Sequence, residues 1–75
     1  PMKRHFVHLS LNTVDACEVG RRHGRNAVVL LIDADCVRRN RISILIGSNR
    51  IRLAHYIPPQ CILKILNCDD MMRAR

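Results

Sequence analysis

An uninterrupted run of apolar residues from Ala27 to Ile32 constrains the fold of this chain more than any other stretch. The run is rich in valine and leucine and lacks alternating polar positions, which is typical of a strand buried on both faces. A strand covered on both sides needs a second layer of structure. We therefore predict a central strand at this position, packed against other elements of the chain.

A basic turn precedes this strand. Its members are Gly20, Arg21, Arg22, His23, Gly24 and Arg25. The two glycines predict a bend that presents positive charge beside a helix end, and guanidinium groups match phosphate oxygens in a bidentate way. Composition alone favours a simpler interpretation, a solvated helix C-terminus with a glycine cap and cations that interact with the helix dipole.

Length and charge limit the function classes. A chain of 75 residues forms one small domain with a thin core. Its net charge of +7, supplied mainly by arginine, indicates a polyanionic partner such as RNA or a dinucleotide. The only aromatic side chains are Phe6 and Tyr56, so binding would depend on phosphate contacts rather than on base stacking. No apolar run approaches the length of a membrane span.

Four cysteines are present without a CxxC pair, at Cys17, Cys36, Cys61 and Cys68. The even number permits a disulfide framework. The first residues lack the pattern of a signal peptide, however, and Cys17 lies in a predicted helix, so we expect reduced, partly buried thiols in a cytoplasmic protein. The histidines near the start match no common zinc-finger spacing, and we expect no metal site.

The first half of the chain is predicted to contain a strand and a helix. Residues 5–11 alternate in the manner of a strand, which puts His8 and Ser10 on the face opposite the leucines, toward solvent or a ligand. A helix should follow, N-capped by Asn12 or Thr13 and ended by one of the glycines of the basic turn. Residues 33–40 form a polar connection with room for one helical turn.

The second half is predicted to contain a β-hairpin. Residues 42–46 and 51–55 would be its strands, joined by a turn at 47–50. Residues 61–66 are predicted to form either a last strand or a short helix. The spacing of their apolar residues does not distinguish between the two. We predict an α+β fold with a small, mostly antiparallel sheet and one main helix over residues 1–66, and a charged C-terminal tail over residues 67–75 that frays.

Short sequence blocks in a particular order carry a family resemblance. They are Met2-Lys3-Arg4-His5-Phe6-Val7-His8-Leu9-Ser10, Val19-Gly20-Arg21-Arg22-His23-Gly24, Val28-Val29-Leu30 with Ile32-Asp33-Ala34, Ser48-Asn49 with Ile51 and Leu53, and Ile57-Pro58-Pro59. From residue 2 to about residue 63, this ordered set resembles the C-terminal half of the NAD-dependent RNA (tRNA) 2'-phosphotransferase family.

The resemblance implies an ADP-ribosyltransferase-like lobe of an enzyme of tRNA splicing. In that family a splice-junction 2'-phosphate of RNA attacks the nicotinamide ribose of NAD and releases nicotinamide. Transesterification then gives plain RNA and ADP-ribose 1'',2''-cyclic phosphate. NAD is therefore the implied co-substrate and RNA the implied partner, with electrostatic stabilisation by basic residues as the implied catalytic device.

Candidate site residues follow from the matched positions. Arg22 matches the catalytic arginine of the basic turn. The positions that match NAD-binding residues, or lie beside them, are His8, Ser10, Ser48, Asn49 and Ile51. Arg21, His23 and Arg25 are the further candidates for binding phosphate or RNA.

This chain also departs from the family pattern. The N-terminal lobe of the family, with its other catalytic residues, has no counterpart here, so the implied partner is that lobe or a second copy of the chain. Arg50 replaces a glycine, which removes freedom at positive φ, and Arg52 stands where an aromatic residue usually packs. Two alternatives to an enzyme lobe stay open. One is a non-catalytic basic module that binds NAD or RNA phosphates, and the other is a small protein that associates through its sheet edges.

Overall fold

A computed structural model describes the backbone of residues 5–73 and the side chains of residues 5–71. The elements in chain order are β1 (Val7–Ser10), α1 (Thr13–Arg22), β2 (Val28–Ile32), α2 (Ala34–Arg39), β3 (Leu45–Ile46), β4 (Ile51–Ala54), a 3-10 turn (Pro59–Cys61), β5 (Ile62–Asn67) and α3 (Cys68–Arg73). The first three residues of the block that begins at Met2 lie outside the described residues.

The strands form two separate antiparallel sheets. One sheet has three strands in the order β1-β4-β3, and the other has the two strands β2 and β5. The predicted α+β class with antiparallel pairing and one main helix is confirmed. The likeness to an ADP-ribosyltransferase lobe stays a prediction.

The prediction that β2 is buried on both faces is wrong. Within the described residues β2 pairs with β5 alone. On one face of this sheet the paired residues Val29 and Leu66 are half-buried. The opposite face, here called the outer apolar face, carries four exposed side chains. They are Val28, Leu30, Leu63 and Ile65, which are between 46% and 67% exposed.

Disulfide-bonded cysteines make up most of the buried side chains of the core. Cys17 is bonded to Cys68 and Cys36 to Cys61, so the expectation of reduced thiols is wrong. Among the described residues the buried apolar side chains are Cys17, Val37, Ala54, Cys61 and Cys68. A position inside a helix did not prevent pairing, because residue 17 of α1 comes within 5.6 Å (Cα–Cα) of residue 68, an ordinary disulfide distance.

Several other boundaries differ from prediction. The sequence did not distinguish a strand from a helix at residues 61–66, and the structure has a strand there, since β5 begins at Ile62. The predicted strand at 42–46 is shorter than expected, because only Leu45–Ile46 forms β3. In the part of the tail that the structure describes, the predicted fraying is wrong, since Cys68–Arg73 forms α3 and the Cys17–Cys68 disulfide attaches it to α1. The division of the chain into a lobe and a tail stays a prediction.

Gly20 allows α1 to pack closely rather than to bend. It lies inside the helix, which ends at Arg22, and a Cβ added to Gly20 would lie 3.2 Å from the Cβ of Ala27. No glycine among the described residues has a positive φ. The left-handed residue near the basic turn is Asn26, which directly follows it and has φ 59°, a conformation that asparagine tolerates better than most residues.

Asn12 caps the N-terminus of α1, one of the two residues predicted for that position. Its Oδ1 accepts a hydrogen bond of 2.9 Å from the backbone N–H of Asp15. We expect Asn12→Ala to lower the free energy of unfolding by about 1 kcal/mol, because that N–H loses its partner. Urea unfolding would measure the loss, with Asn12→Ser as the control that keeps a cap. Equal stability of the alanine and serine variants would contradict the prediction.

Candidate functional site

A shallow cleft of about 260 Å³ lies between α1 and the strands of the larger sheet. Its lining residues come from the end of β1, one face of α1, and the turn that leads into β4. They are Ser10, Asp15, Glu18, Val19, Arg22, Ser48, Arg50 and Ile51. The cleft therefore combines two arginines, two carboxylates, two hydroxyls and two apolar side chains.

One wall of the cleft is a single face of α1. Asp15, Glu18, Val19 and Arg22 have the spacing i, i+3, i+4 and i+7, which brings side chains to the same side of a helix. Arg22 is the last residue of α1 and is exposed. Its position puts a cation at the helix C-terminus, where the helix dipole favours positive charge.

The opposite wall is built by strand pairing and by the hairpin turn. Ser10 of β1 pairs with Ile51 of β4, which brings a hydroxyl and an apolar side chain to one end of the sheet. The backbone N–H groups of Gly47 and Ser48 both donate to the carbonyl oxygen of Ile51, at 2.9 and 3.2 Å. These bonds close the predicted turn between β3 and β4 and fix Ser48 at the cleft.

Arg52 stabilises the same turn through the backbone. Its Nη1 donates to the carbonyl oxygens of Ser48 and Ile51, at 3.0 and 3.2 Å. The side chain is half-buried, so a guanidinium bound to carbonyls occupies the position where the family usually has an aromatic residue.

Arg50 connects the turn to α1. Its Nη2 donates to Oδ1 of Asp15 at 2.9 Å, and the Arg50 side chain is 72% exposed whereas that of Asp15 is 18% exposed. Arg50 does not have a positive φ. The glycine of the family pattern is therefore not required by the backbone at this position.

The structure brings together only part of the predicted site. Arg22, Ser10, Ser48 and Ile51 line the cleft. The other candidates are exposed and are not among its lining residues; they are His8, Arg21, His23, Arg25 and Asn49.

Sequence reasoning missed four lining residues: Asp15, Glu18, Val19 and Arg50. The helical spacing that ends at Arg22 could have indicated the three on α1, because they share its face. Nothing in the sequence pattern could have indicated that Arg50 reaches Asp15, since the pair is distant along the chain.

Metal binding and membrane spanning were also considered among the described residues. Among the described residues no group of three or more histidine, cysteine, aspartate or glutamate side chains is placed to hold a metal ion. In the same part of the chain, no helix has both the length and the apolar character needed to cross a membrane.

Comparison with known proteins gives matches over most of the chain. A protein of Pyrococcus abyssi named "Probable RNA 2'-phosphotransferase" is 56% identical over 63 residues, which are 84% of this chain and 34% of that protein. Proteins of the same name from Pyrococcus furiosus and Pyrobaculum aerophilum are 52% and 40% identical over 89% and 91% of this chain. No protein-family model matches.

These matches confirm the resemblance to RNA 2'-phosphotransferases that the ordered blocks indicated. The chain spans about a third of the length of the curated relatives it matches. The similarity therefore concerns a segment of those proteins.

Proposed function

We propose that this chain is the part of an RNA 2'-phosphotransferase that carries Arg22, in an active site completed by the remaining length that the relatives possess. One observation carries the proposal. The cleft places the arginine of the basic turn beside Ser10, Ser48 and Ile51, which come from sequence blocks far apart along the chain. Four of the positions that the family resemblance assigns to the site therefore line one cleft.

Arg22 would bind the 2'-phosphate of the RNA. Arg22 is exposed at the end of α1, and its guanidinium can offer two parallel N–H donors to a phosphate dianion. The same contact would stabilise negative charge that moves during transfer, which is the electrostatic form of catalysis. Asp15 and Glu18, on the same wall of the cleft, are negative and do not favour phosphate by themselves. Phosphate binding would consequently depend strongly on the arginines.

NAD would supply the ADP-ribose acceptor. The hydroxyls of Ser10 and Ser48 are suited to hydrogen bonds with a ribose, and Ile51 to contact with an apolar ring face. A cleft of about 260 Å³ is smaller than the roughly 300–1,000 Å³ of most ligand pockets, so it would hold one part of a dinucleotide only. His8 and Asn49 lie outside the cleft lining, and their contribution to NAD binding would need surfaces beyond it.

A chimaera tests the proposal. The matched segment of the Pyrococcus abyssi relative would be replaced by this chain, and the product incubated with NAD and an oligonucleotide that carries an internal 2'-phosphate. We expect release of nicotinamide and loss of the 2'-phosphate. The controls omit NAD or use an oligonucleotide without the 2'-phosphate.

The same experiment separates the enzyme from the non-catalytic alternative. A folded chimaera that binds NAD and the phosphorylated RNA but releases no nicotinamide would favour a binding module. Binding that depends on salt but ignores the 2'-phosphate would leave only a general attraction between the positive chain and RNA.

A further inference from the structure

We propose that Arg50 is a second phosphate-binding arginine, which recognises the 3'-phosphodiester beside the 2'-phosphate and is held by Asp15 when no RNA is bound. This inference rests on the proposed function, in which Arg22 binds the 2'-phosphate itself. An internal 2'-phosphate and a 3'-phosphodiester are attached to adjacent carbons of one ribose. A site for such a junction therefore meets two phosphates within a short distance.

The geometry of the cleft suits two neighbouring phosphates. Arg22 and Arg50 both line it, one on α1 and one on the turn before β4. Asp15, the partner of Arg50, lies two helical turns before Arg22, about 10 Å along the axis. The Cα–Cβ bond of a helical residue tilts toward the helix N-terminus, so the long side chain of Arg22 starts in the direction of Arg50.

The contact between Arg50 and Asp15 leaves the arginine available. It uses a single nitrogen, Nη2, and most of the Arg50 side chain is exposed. The Arg50 end of the pair faces solvent, so water screens its attraction to the carboxylate and a phosphate can compete for the guanidinium. When Arg50 turns to a phosphate oxygen, the Asp15 carboxylate keeps the hydrogen bond that Asn12 Nδ2 donates to it at 3.3 Å. Asp15 is fixed more firmly, because its backbone N–H bonds to Asn12 and its side chain is mostly buried.

Binding of oligonucleotides to the full 75-residue chain tests the inference. Three fluorescent oligonucleotides of one sequence would be compared by anisotropy: one with an internal 2'-phosphate, one with the 2'-phosphate on a terminal ribose whose 3'-hydroxyl is free, and one unmodified. We expect Arg50→Ala to weaken binding of the internal form about ten-fold. Binding of the terminal form should change less than about two-fold, because its modified ribose has no 3'-phosphodiester.

Arg39→Ala is the matched control, since Arg39 is an exposed arginine on α2 outside the cleft lining. It removes the same charge and should weaken all three oligonucleotides equally and slightly. The slope of log K against log salt for the internal form should fall by about 0.7 in Arg50→Ala, which is the loss of one phosphate contact. An Arg50→Ala variant that behaves as Arg39→Ala does would overturn the inference.

Asp15→Asn tests the second half of the inference. The amide keeps the shape of the side chain but binds the guanidinium less strongly. We expect affinity for the internal form to rise about three- to ten-fold when Arg50 is present, and clearly less in an Arg50→Ala background. An equal rise in both backgrounds would show that Asp15 acts on RNA directly rather than by holding Arg50.

The outcomes distinguish this inference from the proposed function. If the unaltered chain binds the phosphorylated and unmodified oligonucleotides equally, the inference fails, because this chain then does not recognise the 2'-phosphate by itself, whereas the proposed function is still tested separately by nicotinamide release from the chimaera. If the unaltered chain selects the 2'-phosphate, but Arg50→Ala weakens the internal and terminal forms equally, only the assignment of Arg50 to the 3'-phosphodiester fails.

Discussion

Replacing Cys17 and Cys68 together by alanine should lower the free energy of unfolding by about 4 kcal/mol, a larger change than we expect from replacing the other disulfide-bonded pair. The bond closes a loop with a sequence separation of 51 residues, and the entropy of the unfolded chain rises when such a loop opens. Loss of two buried sulfur atoms from a core this small adds to the effect. For a domain of this size, about 4 kcal/mol corresponds to a decrease in Tm of roughly 20 °C.

Urea and thermal unfolding of the oxidised proteins would measure the change. The matched control replaces Cys36 and Cys61, whose bond has a separation of 25 residues and should contribute about 3.5 kcal/mol on the same estimate. A reductant should lower the free energy of unfolding of the unaltered chain more than that of either double variant, because it breaks two disulfides in the unaltered chain and one in each variant. Equal stability of the oxidised and reduced unaltered chain would contradict the prediction.

Arg22→Ala should lower kcat of the active chimaera by about 100-fold or more without a change in the fold. The side chain is exposed, so its removal leaves the core intact, whereas the 2'-phosphate loses the group proposed to balance its charge. Arg22→Lys should recover only part of the rate, because an ammonium group cannot make the bidentate contact. Nicotinamide release under saturating NAD and RNA gives kcat, and circular dichroism checks the fold.

Arg25→Ala is the control for charge near the same helix end. Arg25 is exposed and is not among the residues that line the cleft, so its loss should raise KM for RNA a few-fold and leave kcat nearly unchanged. A kcat that falls equally in Arg22→Ala and Arg25→Ala would show that the basic turn acts as a general positive surface, without a special role for Arg22.

Features set by local sequence were predictable. The capping side chain of Asn12 and the hairpin turn through Ser48 depend on residues a few positions apart, and both occur as the sequence indicated. Their energetics depend on short-range hydrogen bonds, which a sequence pattern describes well.

Features set by distant contacts were not predictable. Four cysteines can pair in three ways, and only the folded chain brings Cys17 beside Cys68. The run that forms β2 was expected to be covered on both faces because its composition resembles that of a central strand, but burial depends on what packs against it. In the described residues the outer apolar face is not covered in that way.

The candidate site shows the same division. Arg22, Ser10, Ser48 and Ile51 could be chosen from a resemblance to a family, whereas the basic turn alone favoured a solvated helix end. The pairing of Arg50 with Asp15 joins a hairpin turn to the first turn of α1, and a single sequence carries no signal for such a contact. Neither does it reveal that His8 and Asn49 lie outside the lining of the cleft.

Colloidal behaviour of the isolated chain should depend on a balance between the outer apolar face and the net charge. At +7, two copies repel each other over a distance set by the ionic strength. The screening length is about 30 Å at 0.01 M salt and about 3 Å at 1 M. Repulsion therefore dominates in dilute buffer, whereas in concentrated salt the attraction between apolar faces decides whether the molecules stay apart.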